Sequence, residues 1–365
     1  MLRIVLLVIA ALVFSEVKAE EKNEDLGLHI GGYASFAASR SSEGHGAFYV
    51  PKVSLDLNYT LNKGWKLGTV LVFDQGNTES FKMIDVKDKD GLDSGEGSLD
   101  FEEAWIQKDF NEHLSVRAGK LVLPVGAVNI ADNHTQFSLF DAEEEQSVMP
   151  AAWKVFAVSL EGGLNDWEYQ LMLTQSLNPA LFNGSTWIRD GITNSLGKSD
   201  NYGGAVRIDY NGISNMRLGV SGYIDKNVSL GSFDMEFDDY NWIVRGNIDY
   251  GHLSHSSRFS EESDTGIGKN SLAYAFEAGY DIFSRFQKLK GNQKMYIYAH
   301  YGYYNTMESV SKGIEADPTY KKNIFSCGLN YRPISAVTVR AEYLNRHYGN
   351  GYNQHVTTLG LSYSF

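Results

Sequence analysis

The chain has 365 residues with 45 acidic and 32 basic side chains, which gives a formal net charge of −13. This acidic balance argues against nucleic acid as a partner, because a polyanion is bound by basic surface. The single cysteine, Cys327, excludes an intramolecular disulfide. An aromatic content of 13% with 36 glycines and only 6 prolines is typical of a chain with many long strands.

The amino terminus has the pattern of a secretory signal peptide. Residues 1–19 read MLRIVLLVIAALVFSEVKA, with an early cation at Arg3, an apolar run over 4–14 and small residues at Val17 and Ala19. We therefore predict cleavage after Ala19. The apolar run is too short to span a membrane as a helix. The expected organisation is a signal peptide over 1–19 followed by one exported domain over 20–365.

Beyond this segment, many stretches alternate apolar and polar residues with a period of two, which predicts β-strands. The first pair is VSLDLNYT (53–60) and WKLGTVLVFD (65–74), and the short turn LNKG between them predicts a hairpin. The alternation recurs in WEYQLMLTQ, AVRIDY, MRLGVSGYI, YNWIVRGNIDY, LAYAFEAGYDI and AVTVRAEY. The chain is therefore predicted to be all-β.

The connections between these strands alternate between short and long. The short turns are LNKG, NEHL, GGLND, NGIS, DYGH, RPISA and residues 285–293, and the long polar segments are 40–46, 76–97, 123–151, 177–201, 228–234, 262–270, 306–320 and 348–353. Outer-membrane barrels have this rhythm, because their periplasmic turns are short and their outer loops long. Seven turns and eight long segments predict a transmembrane antiparallel β-barrel of about 16 strands.

The last predicted strand, HVTTLGLSYSF, places Leu359, Leu361, Tyr363 and Phe365 on one face. A terminal aromatic on such a strand is similar to the signal read by the outer-membrane barrel assembly machinery. Tyr363 and Phe365 are therefore the predicted assembly signal. The outward faces are expected to contact outer-membrane lipid and lipopolysaccharide.

The opposite, polar faces are predicted to line a lumen, which in a barrel of this size is wide enough for water. Two interpretations of the lumen arginines stay open. Guanidinium groups suit phosphate or carboxylate solutes, or the arginines pair with lumen carboxylates and set a transverse field, which is the interpretation we favour. The predicted lining residues are Arg117, Arg207, Arg217, Arg245, Arg340, Glu277 and Glu342.

The segment GKLVLPVGAVNIADNHTQFSLFDAEEEQSVMPAAWKVFAVSLEG resembles a motif of the phosphate-selective porin O/P family of Gram-negative bacteria. The shared positions are Gly119, Pro124, Gly126, Pro150 and Trp153. The resemblance implies an outer-membrane porin with a sixteen-stranded barrel, often a homotrimer, whose third loop folds into the lumen. It therefore implies a channel constriction formed by the segment 123–151.

Carried to this sequence, the resemblance makes six residues candidates for the constriction: Asp132, His134, Asp141, Glu143, Glu144 and Glu145. Phosphate-selective members place basic residues at the narrow zone, whereas no Lys or Arg lies between Lys120 and Lys154 here. This departure argues against phosphate as the solute. The carboxylates are expected to face the channel water, which predicts mild cation preference or none.

The function expected from these features is passive diffusion of small hydrophilic solutes or ions, with no enzymatic activity. One alternative is a structural or adhesive outer-membrane barrel with a blocked lumen. Another is a calcium-dependent outer-membrane phospholipase, since GHLSHSSRF places His255 and Ser257 two apart, hence on one face of a strand.

Patterns for cofactors and metals are weak. In DVKDKDGLDSGEG, residues 85–97, an EF-hand register with Gly91 at position six puts Val86 at position one and Gly97 at position twelve. Both key ligands are therefore missing, which favours a solvated acidic loop, with loose divalent binding at the lipopolysaccharide surface as the alternative. No phosphate loop, dinucleotide fingerprint or zinc pattern occurs in the sequence, so no cofactor is predicted.

Overall fold

The computed structural model describes residues 27–44, 46–74, 98–127, 129, 137, 143–150, 153–192, 201–263, 265–286 and 293–365. Several sequence predictions lie outside these residues. They are the signal peptide over 1–19, the acidic loop 85–97, and the candidate constriction residues Asp132, His134 and Asp141.

The described chain consists mainly of long strands in one sheet. They are β1 (Gly27–Ser41), β2 in two segments (Gly46–Tyr49 and Val53–Thr60), β3 (Trp65–Asp74), β4 (Ser98–Asn111), β5 (Leu114–Val122), β6 (Lys154–Leu164), β7 (Trp167–Gln175), β8 (Tyr202–Ile213), β9 (Met216–Ile224), β10 (Val228–Asp239), β11 (Trp242–Leu253), β12 (Asn270–Asp281), β13 (Lys294–Ser309), β14 (Lys321–Ile334), β15 (Val337–Tyr348) and β16 (Asn353–Ser364).

The sheet closes on itself into a barrel. Each strand pairs antiparallel with the next, and β16 returns to β1 in a register that runs from Tyr33↔Ser364 to Ser41↔Val356. Both segments of β2 pair with β1 and count as one strand, which gives the predicted sixteen. Closure leaves no edge strand with unpaired backbone N–H and C=O groups, which is required of a sheet that crosses lipid.

Alternation along the strands divides the residues between two faces. On β8, Val206 and Ile208 are about half exposed, whereas Arg207 and Asp209 between them are buried. The same pattern places exposed apolar residues on most strands, such as Leu171, Phe276 and Leu359. Since the exposed face is apolar and the buried face polar, the barrel has the inverted polarity expected of a protein surrounded by lipid.

Helical segments are short. They are α1 (Glu143–Val148), α2 (Ser256–Ser263) and the 3₁₀ turns Asn62–Gly64, Pro179–Leu181, Arg189–Gly191, Ile282–Arg285 and Pro318–Tyr320. Among the described residues, no helix is long and apolar enough to cross a membrane.

Two predicted connections are wrong. The segment 228–234 lies in β10, and DYGH lies inside β11. The turn between these strands is at Tyr240 and Asn241, whose φ values of 51° and 68° suit a tight hairpin. Gly251 suggested a turn, but a Cβ there would lie only 2.2 Å from Cη2 of Trp187, so this glycine is needed for close packing.

The expected strand through GHLSHSSRF is also wrong. His255 has a φ of 60° in a turn, and Ser257 lies in the first turn of α2. The local cause is the cluster of serines, which favours helix starts and turns. His255 and Ser257 therefore do not share the face of a strand, and the geometric premise of the phospholipase alternative is lost.

Candidate channel site inside the barrel

The segment 123–151 turns inward as soon as it leaves β5. Ser221 of β9 accepts a hydrogen bond from the Gly126 nitrogen at 3.0 Å, and Arg207 of β8 donates to the Gly126 carbonyl at 3.3 Å. Both side chains belong to the buried face of the barrel wall. Gly126 itself has a φ of 82°, and a Cβ there would lie 2.3 Å from Glu145 Oε1. The Pro-x-Gly motif is thus explained by a tight inward turn.

Phe137 anchors the middle of the segment on the far wall. Its side chain is fully buried, with its ring 5.1 Å from that of Tyr296 and 5.3 Å from that of Tyr298. Asn330 of β14 donates to the Phe137 carbonyl at 3.3 Å. Gly279 of β12 makes room for the ring, since a Cβ there would lie 2.4 Å from Cζ of Phe137. The described residues of the segment therefore contact two separate parts of the inner wall, Gly126 at β8 and β9 and Phe137 at β12, β13 and β14.

Helix α1 then packs on the same wall through Glu143. The Glu143 carboxylate accepts from Arg346 Nε at 2.5 Å, Lys322 Nζ at 3.2 Å and the Tyr304 hydroxyl at 2.9 Å. Burial alone would raise the pKa of Glu143, but the charges of Arg346 and Lys322 outweigh it and lower that pKa to about 2. The carboxylate is therefore ionised and bound to the wall at any physiological pH.

Glu144 and Glu145 are also turned away from water. Each is 1% exposed. Glu144 Oε1 lies 3.2 Å from His300 Nε2, and its carboxylate sits against Gly302, where a Cβ would lie 2.7 Å from Cδ. The expectation that these carboxylates face the channel water is therefore wrong for Glu143, Glu144 and Glu145. The reason is that Lys322 and Arg346 lie opposite Glu143, His300 and Gly302 lie opposite Glu144, and Glu145 packs against Gly126.

The chain returns to the wall through a buried aromatic contact. Trp153 is 1% exposed, and its ring lies 4.8 Å from that of Tyr223 on β9. Its carbonyl accepts a hydrogen bond from the Leu123 nitrogen at 2.8 Å. The two ends of the inserted segment are thereby held together beside β5 and β6.

The lumen arginines lie in ion pairs on the buried face. Arg207 contacts Asp209 at 2.7 Å and Asp234 at 2.9 Å. Arg217 contacts the same two carboxylates at 2.9 and 2.6 Å. The result is a compact cluster of two guanidinium groups and two carboxylates on β8, β9 and β10. Because its charges balance, it contributes a local field rather than a net charge.

The other predicted lining residues are spread around the wall. Arg245 lies 3.2 Å from Glu236 and 3.4 Å from Glu277. Arg117 lies 3.2 Å from Glu161. Glu236 also lies 3.8 Å from Arg217, so it links Arg245 and Glu277 to the first cluster, whereas Arg117 pairs with Glu161 elsewhere on the wall. On β15, Arg340 is buried with Nη1 3.5 Å from the Tyr33 hydroxyl, and Glu342 accepts a hydrogen bond from the Tyr298 hydroxyl.

A second segment, residues 176–192, also folds into the barrel mouth, which was not predicted from the sequence. Trp187 and Ile188 are buried to 1% and 0% exposure. The Trp187 indole donates to the Gly268 carbonyl at 3.0 Å and packs on Gly251 of β11. The sequence feature that could have indicated it is the apolar pair Trp187 and Ile188 inside a long polar connection. This inward segment and α1 together occupy part of the interior.

The terminal aromatics lie on the exposed face. Tyr363 is 46% and Phe365 is 41% exposed, with ring centroids 5.6 Å apart. The backbone of Phe365 exchanges two hydrogen bonds with Gly32 at the closing strand. A Cβ at Gly32 would lie 2.4 Å from Cζ of Phe365, so the glycine accommodates the terminal ring.

Comparison with solved structures identifies the class of fold. The outer membrane channel DcaP of Acinetobacter baumannii aligns with a TM-score of 0.57 and 13% identity over 95% of this chain and 99% of its own. OprB of Pseudomonas putida aligns with a TM-score of 0.62 and 10% identity over 93% of this chain and 94% of its own. OmpF of Salmonella typhi aligns with a TM-score of 0.57 and 10% identity over 95% of this chain and 100% of its own. The fold is therefore that of a sixteen-stranded outer-membrane barrel.

Comparison by sequence adds a relative of low identity. The chain is 22% identical over 325 residues to an uncharacterized protein of Aquifex aeolicus (strain VF5), which covers 81% of this chain and 73% of that protein. No family model matches the chain. At these identities the likeness shows the architecture, and function has to be argued from the residues.

Proposed function

We propose that this protein is an outer-membrane porin through which small hydrophilic solutes diffuse passively. The observation that supports the proposal is that Phe137 and Glu143 of the segment 123–151 are bound to the inner wall of the barrel at β12 to β15. Such a segment narrows a lumen that is otherwise lined by polar side chains. A narrowed, hydrated path selects solutes by size and by the charges along it.

The contacts of α1 change the expected selectivity. Glu143 is matched by Arg346 and Lys322, and Glu144 lies beside His300, so these carboxylates add little negative charge to the path. The paired arginines Arg207 and Arg217 are likewise matched by carboxylates. We therefore infer weak selectivity between cations and anions, without the cation preference that an exposed acidic loop would give.

The location follows from the same proposal. The apolar outer face suits outer-membrane lipid, and lipopolysaccharide would surround the outer loops. The signal peptide over 1–19 would direct export, and Tyr363 and Phe365 would present the terminal strand to the assembly machinery. A homotrimer and membership of the phosphate-selective porin O/P family are implied by the resemblance of Gly119, Pro124, Gly126, Pro150 and Trp153.

A barrel with a blocked lumen is the second candidate, because residues 176–192 also fold inward. Reconstitution into planar lipid bilayers separates the two. We expect stepwise ohmic currents from single molecules of purified protein. A folded protein that inserts into the bilayer and carries no current would contradict the porin proposal and favour the structural barrel.

A further inference from the structure

Helix α1 meets the barrel wall at a second charged contact besides that of Glu143. Glu144 Oε1 lies 3.2 Å from Nε2 of His300 on β13. Gly302, two residues along the same inner face of β13, makes room for the carboxylate, since a Cβ there would lie 2.7 Å from Cδ of Glu144. The wall therefore supplies both the space and a titratable partner for Glu144.

The imidazole of His300 has a carboxylate at each of its nitrogens. Nε2 faces Glu144, and Nδ1 lies 3.8 Å from Oε2 of Glu277 on β12. Only the protonated imidazole carries a hydrogen on both ring nitrogens, so this arrangement fits the imidazolium cation. The side chain of His300 is 12% exposed, so water reaches the ring and can exchange its proton.

Glu144 depends on His300 for its counter-charge. The side chain of Glu144 is 1% exposed, and among the described residues His300 is the one basic group that forms an ion pair with it. Oε1 of Glu144 has no hydrogen-bond partner in the described part of the chain, so the contact is one of charge. Because a buried carboxylate without a counter-charge is strongly destabilised, loss of the His300 proton would weaken the hold of the wall on α1.

Other charged groups around this contact come from two further strands. They are two acids and two arginines, namely Asp249 and Arg245 on β11, and Glu342 and Arg340 on β15. The acids interact electrostatically with the Glu144–His300 pair, and the arginines with Glu277. Neither arginine lies within ion-pair distance of Glu144. None of these groups can therefore replace the charge of His300 at Glu144.

We propose that His300 is a positioning residue for the inward segment, and that it makes the docking of α1 sensitive to pH. The protonated ring holds α1 through Glu144, and loss of the proton in alkaline medium releases this contact. Stabilisation by a cationic histidine is present at low pH and lost as the pH rises. Glu143 keeps its contacts with Lys322 and Arg346, so α1 loosens at one of two charged contacts. The effect on the current rests on the porin function proposed above.

Single-channel recording over a range of pH tests this proposal. In wild type, current noise should be low at about pH 7 and rise toward about pH 9, because α1 moves more often once His300 has lost its proton. The series stops at about pH 9, since lysine and tyrosine side chains ordinarily titrate at about pH 10. Noise that stays constant over this range would overturn the proposal.

Substitutions of His300 separate its charge from its size. H300Q should be as noisy at about pH 7 as wild type is at about pH 9, with no further rise, whereas H300K, which keeps a positive charge, should stay quiet at both. H347Q is the matched control, because His347 is exposed on β15 and contacts Asn353 at 2.9 Å, away from α1. Noise in H300Q that follows that of H347Q would contradict the assignment.

E144Q removes the charge on α1 and leaves the barrel strands unchanged, so it remains informative if substitutions of His300 prevent folding. Its current noise should be the same at about pH 7 and at about pH 9, because the docking of α1 then no longer depends on the charge of His300. A rise in E144Q equal to that of wild type would show that another group titrates, and would overturn the proposal.

Failure of the porin proposal would look different. Hydrogen exchange of the amides of Glu143–Val148, measured by mass spectrometry on the detergent-solubilised full chain, reports the release of α1 whether or not the barrel conducts. At about pH 7, exchange should be at least about tenfold faster in H300Q than in H347Q, because a buried ion pair has lost one partner. This result would support the role of His300 even in a barrel without current. Equal exchange in the two variants would overturn it.

Discussion

Replacing Glu143 with glutamine removes the charge that binds α1 to the barrel wall. E143Q keeps the size of the side chain and an oxygen that can accept from Tyr304. It leaves Arg346, which is 2% exposed, without its carboxylate, and Lys322, whose side chain is 20% exposed, without its partner. The variant therefore tests the contribution of the ion pair while leaving the packing of α1 unchanged.

The size of the effect follows from burial. Removing one partner of a buried ion pair costs about 3–5 kcal/mol. Lys322 can turn toward water, and Arg346 keeps its hydrogen bond to Gln354 at 2.7 Å, so we expect the lower end of that range. A loss of about 3 kcal/mol weakens the docking of α1 roughly a hundredfold. The state in which α1 has left the barrel wall should then be populated enough to cause detectable changes in the single-channel current.

Planar-bilayer recordings measure this population. We expect E143Q channels to show larger current fluctuations and a higher maximum conductance than wild type, because the segment 123–151 leaves the far wall intermittently. E261Q, which makes the same charge change at an exposed position of α2, should behave as wild type. Currents from E143Q that match those of E261Q in size and noise would refute the role assigned to the ion pair.

Three further predictions concern Glu143, Phe137 and Arg207. Because the pKa of Glu143 is lowered from 4.5 to about 2, its ionised carboxylate stabilises the docking of α1 fully above pH 4.5, and this stabilisation is lost as the pH falls toward about 2. In wild type, current noise should therefore be constant from neutral pH to about 5 and rise at lower pH. In E143Q it should not rise. G279A should displace Phe137 and raise conductance, whereas G231A, whose Cβ meets nothing within 4 Å, should not. R207Q should lower the thermal unfolding temperature of the barrel measured by circular dichroism, because Asp209 and Asp234 then share the guanidinium group of Arg217, and we expect a cost near the lower end of about 3–5 kcal/mol.

The strands and their faces were predictable because the evidence for them is local. The alternation of Val206, Arg207 and Ile208 assigns each residue to a face without knowledge of the rest of the chain. The turn predicted at DYGH was wrong because the cause of its glycine is not local. Gly251 is small because Trp187, which is distant in sequence, packs against it, and no local pattern contains that information.

The candidate site was predictable only in part. The motif drew attention to the segment that contains α1, and Glu143 in that helix contacts Tyr304, Lys322 and Arg346. Its partners Lys322 and Arg346 lie 179 and 203 residues further along the chain. Four carboxylates in a short stretch therefore suggested exposure to water, whereas the fold brings Lys322 and Arg346 from distant parts of the chain to Glu143.

The porin proposal requires that a hydrated path remains beside the inward segment. The most direct measurement is the single-channel conductance of the purified full chain in planar bilayers over a range of salt concentrations. The porin account predicts discrete ohmic steps whose size rises with salt concentration and a reversal potential near zero in a salt gradient. Insertion of folded barrels without any current would contradict it.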